Sequence, residues 1–214
     1  MLALFDLDNT LIDRRRCLDE WARGFVGSRC MPREQAAVIS DELRERAYPV
    51  DFARLRETLG LSDTPGDLWQ EYVAGIARSV RCFPGVLEGL EELRSLGWST
   101  GIATNGAADI QRAKLAATGL APLFDGVCVS EEIGARKPAP RHFEVAAAMC
   151  GGRSTAGGWM VGDNPGTDME GGRTAGLRTL WVTHGRPWIY GPRKPDMVVR
   201  DVAEAINALR ELTD

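Results

Sequence analysis

The sequence predicts an α/β protein: a doubly wound parallel sheet interrupted near its start by an all-helical insertion. Short continuous apolar runs at residues 2–5, 99–104, 126–130, 158–162, 179–183 and 197–199 have the length of strands buried on both faces. From Phe83 onward, helical stretches at 86–96, 108–118, 141–150, 167–175 and 202–212 separate or follow them, and that alternation implies parallel pairing. Between the first run and Phe83 the text differs, with charges and helix formers at 18–26, 33–47, 52–59 and 67–80. The 214 residues, set against about 150 for an average domain, also suit one core plus an insertion.

Taken in order, Leu2-Ala3-Leu4-Phe5 reads as a central strand because it is wholly apolar and stops abruptly in Asp6-Leu7-Asp8-Asn9-Thr10. Residues 14–81 form the helical insertion, leaving 1–13 and 82–214 as the core. Pro84-Gly85 opens the next helix, Val86, Leu87, Leu90, Leu93 and Leu96 give it one apolar face, and Gly97 closes it. The Gly and Pro density over 185–195 marks a loop within the core.

Composition narrows the function classes. A hydrophobic fraction of 44% with 26% charged residues builds a real core, and a net charge of -4 argues against a surface made to neutralise nucleic-acid phosphates or anionic lipid. The five cysteines, Cys17, Cys30, Cys82, Cys128 and Cys150, are scattered without a C-x-x-C pair, so they are expected as small buried hydrophobes and not as a disulfide or zinc framework. No apolar run nears the roughly 18 residues of a membrane helix and the start lacks a signal-peptide pattern, so the expectation is cytoplasmic.

Chemistry-bearing residues stand where strands end. Asp6 and Asp8 follow the first strand, Thr104-Asn105-Gly106 the second, and Gly162-Asp163-Asn164 a later one; in a parallel sheet these ends share one edge. Side chains two apart on extended backbone point the same way, so Asp6 and Asp8 face one pocket while Leu7 turns inward. With Asp163 and Asp168 the site carries several carboxylates, which repel one another unless a hard divalent cation such as Mg²⁺ sits among them. Lys137, just before Pro138, adds a fixed positive charge. Acids, lysine, hydroxyl and a glycine-flanked turn suit a phosphate. Plainer readings are favoured elsewhere: Asp168 can simply open its helix, Arg14, Arg15 and Arg16 read as solvated before they read as contacts for an anionic substrate, His142 and His184 as structural or solvated before general bases, and Trp21 and Trp69 as core of the insertion before the lining of a substrate pocket.

These residues resemble the haloacid dehalogenase-like hydrolases, in order and through nearly the whole chain. Asp6-Leu7-Asp8-Asn9-Thr10-Leu11 is similar to the family's first motif, D-x-D-x-T-L. Thr104-Asn105-Gly106 resembles the second, Lys137 in Arg136-Lys137-Pro138 the third, and the run from Gly162 through Asp163 to Asp168 the fourth, G-D-x-x-x-x-D. Where relatives often carry Asp after Lys-Pro, this chain has Ala139.

The resemblance implies a Rossmann-like catalytic core with a helical cap between the first two motifs. Asp6 would be the nucleophile that forms an aspartyl-phosphate, and Asp8 the general acid and then base. Asp6, Asp163 and the backbone carbonyl of Asp8 would hold Mg²⁺. Lys137, Thr104, Asn105 and Gly106 would bind the phosphoryl oxygens, and Asp168 would orient Lys137 or a water beside the metal. The expected activity is Mg²⁺-dependent hydrolysis of a small phosphorylated metabolite by a monomer or homodimer, without nucleic acid or membrane. Dehalogenation and phosphomutase chemistry use the same fold. A phospho-accepting signalling or binding protein is the alternative from another class.

Overall fold

The structure, a computed structural model, describes residues 1–152 and 155–213. Six strands, β1 (Leu2–Phe5), β2 (Ser99–Thr104), β3 (Gly126–Val129), β4 (Trp159–Gly162), β5 (Arg178–Val182) and β6 (Met197–Val199), form one sheet in the order β3-β2-β1-β4-β5-β6. Neighbouring strands pair in parallel throughout. The chain thus starts at the centre, winds outward through β2 and β3, then returns to build the other half, so the order reverses between β1 and β4. Such a switch point leaves a crevice at the strands' carboxyl ends. Phe5 is in register with both Ile102 and Val161, which sets the residues after β1, β2 and β4 side by side.

Pleat alternation assigns the sheet's side chains. Leu4, Ala103, Cys128 and Met160 form a buried cluster with Phe143, Ala146 and Cys150 on and just after helix α8 (Pro140–Met149), while Phe5, Ile102 and Val161 alternate to the opposite face. Gly101 has no room for a side chain, because a Cβ there would collide with Cys150 and Leu4. Helices α5 (Val86–Ser95) and α10 (Val202–Glu211) pack on each other, closely enough that a Cβ on Gly89 would lie 2.8 Å from Ile206 Cγ2.

The chain divides into two compact units. One comprises Met1–Ile12, Cys82–Asn105 and Gly119–Asp214; the other, Asp13–Arg81 and Gly106–Thr118, is helical. The helical unit holds α1 (Arg14–Ser28), α2 (Gln35–Leu43), α3 (Asp51–Leu59), α4 (Pro65–Ser79) and α6 (Ala108–Thr118). Its core is aromatic: Trp21 and Tyr72 meet edge to face at 4.9 Å, and Phe52 and Trp69 at 5.4 Å. Trp69 Nε1 donates to Asp109 Oδ2 at 2.6 Å, and Gly75 is obligatory because a Cβ there would strike Trp21.

Two expectations about this unit are corrected. Arg14 is not solvated but 5% exposed, its guanidinium donating to the carbonyls of Leu43 and Arg44 at 2.6 Å each, where α2 ends with unpaired acceptors. Cys30 is exposed, because it sits in a left-handed turn (φ 52°) after α1 and not in a core-facing position; Cys17, Cys128 and Cys150 are buried and Cys82 is half-buried. The remaining helices are short: α7 (Ser130–Ile133), a 3₁₀ turn (Ala121–Leu123) and α9 (Gly171–Thr174).

The segment expected as a helix from 167 begins earlier, as a π-helical turn over Pro165–Glu170. Asn164 O accepts from both Asp168 N (3.0 Å) and Met169 N (3.3 Å), which widens this turn by one residue before α9 begins. No helix among the described residues is long and apolar enough to cross a membrane.

Candidate active site

Asp6 is the first residue past β1, and its N–H donates to Val161 O on β4 at 2.9 Å. The chain then folds tightly around Leu7, whose carbonyl accepts from Leu11 N and Ile12 N, with Asn9 in the left-handed region (φ 59°). Asp8 is half-buried, and its backbone forms a bridge with Ile12, which in turn pairs with Cys82.

Lys137 arrives from the loop after α7. Its ammonium lies between two carboxylates, 2.6 Å from Asp6 Oδ1 and 2.7 Å from Asp168 Oδ1. The loop carrying it is anchored twice. Asn105, the first residue past β2, exchanges hydrogen bonds with the Lys137 backbone, and His142 on α8 places Nδ1 2.9 Å from Ala135 O. A carbonyl accepts, so Nδ1 carries the proton. Burial then pushes His142 down to about 4, from an ordinary 6.5, and its Nε2 has no partner among the described residues.

Asp168 is aimed by the π-helical turn. Its Oδ2 accepts from Asn164 N at 3.0 Å and its Oδ1 from Thr167 Oγ1 at 3.3 Å. The carboxyl group lies against the backbone of Gly162, where any Cβ would collide with it. Asn164 itself caps the turn, its Oδ1 accepting from Gly166 N and Thr167 N, as the Asn-Pro pair at a helix start suggests.

Asp163, directly after β4, is held through its own backbone. Its carbonyl accepts from Trp181 Nε1 at 3.0 Å and from Arg186 Nη2 at 2.7 Å, and Arg186 Nη2 also lies 3.1 Å from Asp163 Oδ2.

One oxygen from each of Asp6, Asp163 and Asp168 falls within 4.8 Å of the others. The acids are 7%, 7% and 0% exposed and Lys137 is 2% exposed, so little water is present to screen them. Burial, with Asp168 and Asp163 alongside, holds Asp6 well above the usual carboxylate range despite the attraction of Lys137. Burial alone would lower Lys137, but Asp168 and Asp6 outweigh it and keep the ammonium charged. The three buried acids bring carboxylate oxygens within 4.8 Å of one another, and such oxygens are the hard donors that Mg²⁺ prefers, so the donor set fits that ion. Asp8 is outside this carboxylate trio; its expected contribution is a backbone carbonyl.

Thr104 ends β2, 1% exposed. Gly106 begins the second segment of the helical unit, where a Cβ would press on Gln111 Cγ at 2.8 Å. Two contributors escape a reading of motifs. Arg186 and His184 lie in the loop after β5, and His184 Nε2 donates to Asn9 O at 2.6 Å. The left-handed His184-Gly185 pair is the one local hint, since Gly after a polar residue marks a tight turn.

The chain has described relatives in sequence and in fold. A family model described as "Haloacid dehalogenase-like hydrolase" matches residues 3–182. The chain is 34% identical over 178 residues to the phosphoserine phosphatase of Thermus thermophilus, covering 82% of this chain and 68% of that protein. It is 27% identical over 227 residues to the glyceraldehyde 3-phosphate phosphatase of Methanopyrus kandleri, covering 98% and 97%. Among solved structures, the HAD-hydrolase YfnB from Bacillus subtilis, bound to magnesium, superposes with a TM-score of 0.80 at 22% identity over 97% of each chain.

Proposed function

The chain belongs to the haloacid dehalogenase-like hydrolases, and from that premise we propose that it is a Mg²⁺-dependent phosphatase acting on a small phosphorylated metabolite. The observation that carries the reading is Lys137 clamped between Asp6 and Asp168 inside a buried acidic trio, with Asp8 two residues beyond Asp6. The names of the relatives, phosphoserine phosphatase and glyceraldehyde 3-phosphate phosphatase, support the substrate class.

In this reading an Asp6 carboxylate oxygen attacks phosphorus, the Oδ–P bond forms and the ester P–O bond breaks. Asp8 delivers a proton to the departing alkoxide. Asp8, now a carboxylate, takes a proton from water as that water attacks the phosphoryl group, and inorganic phosphate leaves with Asp6 restored. Lys137, the Thr104 hydroxyl and the amides of Asn105 and Gly106 hold the equatorial oxygens, where charge develops. Asp168 keeps the Lys137 ammonium in place. Mg²⁺, when held by Asp6, Asp163 and the Asp8 carbonyl, supplies charge neutralisation between nucleophile and phosphate. Substrate choice is assigned to residues 14–81, as a cap. A departing halide needs no proton, so the acid at position 8 argues against dehalogenation.

The test is phosphate release from a panel of small phosphate esters with Mg²⁺ or with EDTA, for wild type and Asp6→Asn in parallel. Release that needs both the metal and Asp6 is expected. Halide release from 2-haloacids with no ester hydrolysed would overturn the proposal.

A further inference from the structure

The strand β5 ends in a turn, Thr183-His184-Gly185-Arg186, that no motif of the chain includes. The turn is tightly built: His184 and Gly185 are both left-handed (φ 50° and 81°), Gly185 N donates to Thr183 Oγ1 and Arg186 N to Thr183 O. A non-glycine residue in the left-handed region carries strain, which persists where surrounding contacts over-determine it. Here the contacts are specific. The His184 ring lies 5.3 Å from Phe83, and its Nε2 donates to Asn9 O in the loop that begins with Asp6 and Asp8.

Two residues on, Arg186 spends its guanidinium on the other acidic loop. Nε donates to Thr183 O at 2.9 Å, and Nη2 reaches both the carbonyl and Oδ2 of Asp163. The same carbonyl accepts from Trp181 Nε1, and the guanidinium carbon stands 5.8 Å from the centre of the Trp181 ring. Asp163 therefore has its main chain fixed by two donors and one carboxylate oxygen fixed by a third contact. The Asp163 side chain is 9% exposed, so this grip works with little competing water.

We infer that Arg186 is a positioning residue that, through Asp163, sets how tightly the site holds Mg²⁺, an inference resting on the metal site proposed above. Its guanidinium hydrogen-bonds to Thr183, Val182 and Asp163. It holds Asp163 in the orientation that points one oxygen toward Asp6 and Asp168. Groups that orient metal-binding carboxylates in this way are typically worth a factor of about 10 to 100 in metal affinity. Charge and orientation act in opposite directions here. A positive charge beside the site repels Mg²⁺, so a purely electrostatic Arg186 would weaken binding; an orienting Arg186 strengthens it. The direction of the change on removing it separates the two.

The experiment measures Mg²⁺ binding calorimetrically, and the Mg²⁺-dependent rise in melting temperature, for wild type, Arg186→Ala and Arg186→Lys, with melting in EDTA as the check on folding. Arg186→Ala is expected to weaken Mg²⁺ binding about 10-fold or more. Arg186→Lys, which keeps the charge without the planar fork, is expected to fall between it and wild type. The Mg²⁺ concentration for half-maximal ester hydrolysis moves in step, while KM for the ester at saturating Mg²⁺ stays at the wild-type value. Equal or tighter Mg²⁺ binding by Arg186→Ala overturns the inference. If that variant does not fold in EDTA, wild-type Mg²⁺ affinity in Arg186→Lys overturns it equally. Wild type failing to bind Mg²⁺ is a separate result, and refutes the metal site itself.

Discussion

Asn105 and Lys137 are paired like two residues on neighbouring strands, with Asn105 Nδ2 donating to Lys137 O at 3.0 Å and Lys137 N donating to Asn105 Oδ1 at 2.8 Å. The side chain of one loop thus copies a backbone rung and fixes the main chain of the other, 32 residues away. The ammonium of Lys137 can reach two acids because its own backbone is not free to wander.

Asn105→Ala removes both bonds and leaves a donor and an acceptor of Lys137 without them. The expected cost is about 1–3 kcal/mol of stability together with a loss of kcat that exceeds any rise in KM. Chemical denaturation and steady-state kinetics on one preparation check it, and an unchanged kcat would mean that the pairing serves folding alone.

Gly162→Ala tests how Asp168 is placed. Because a Cβ at 162 would overlap the Asp168 carboxyl group, that acid must shift away from Lys137. Overpacking of this kind costs about 1–3 kcal/mol. The expected result is a lower melting temperature and a fall in activity that added Mg²⁺ does not restore.

Asp163→Ala leaves two acids of the trio. Mg²⁺ should then saturate activity at concentrations at least about 10-fold higher, since one donor is lost outright. A titration that superposes on wild type would show that Asp163 does not take part in holding the ion.

His142 gives the protein a defined acid sensitivity. Its folded value of about 4 lies below the ordinary 6.5, so the unfolded chain takes up the proton first. Stability from the neutral, buried ring is fully present above the ordinary value and is lost as pH falls from there through the folded one. Between about pH 8 and about pH 5 this group removes on the order of 2 kcal/mol. His142→Asn, which keeps a donor for Ala135 O and does not titrate, should flatten that part of the stability-pH curve, as denaturation midpoints across the range would show.

The strands and the acids at their ends are legible because two simple signals coincide: a run buried on both faces is continuously apolar, and it stops where polar chemistry begins, as at Phe5-Asp6 and Gly162-Asp163. The tryptophans at 21 and 69 read as core because large aromatic side chains in a small helical unit carry most of its apolar area, and both rings are packed there. Arg14 misleads because three adjacent arginines look like a solvated face, and only the place where α2 ends shows that one of them has carbonyls to satisfy. Arg186 and His184 leave no pattern, because their partners lie 23 and 175 residues away and the loop between β5 and β6 has no period from which direction can be inferred.

The π-helical turn makes this site sensitive to counting. Elsewhere on a surface, the loss of one residue between a strand and a helix is absorbed as a slightly shorter loop. Between Asn164 and Asp168 it would instead restore an ordinary α-helical ladder, and each residue step in such a ladder rotates a side chain by about 100° around the axis. Asp168, or whichever residue took its place, would then be out of phase with Lys137 while the helix itself was better formed than before. A one-codon deletion there would yield a protein that folds, has the same composition of acids, and has lost its clamp on the lysine.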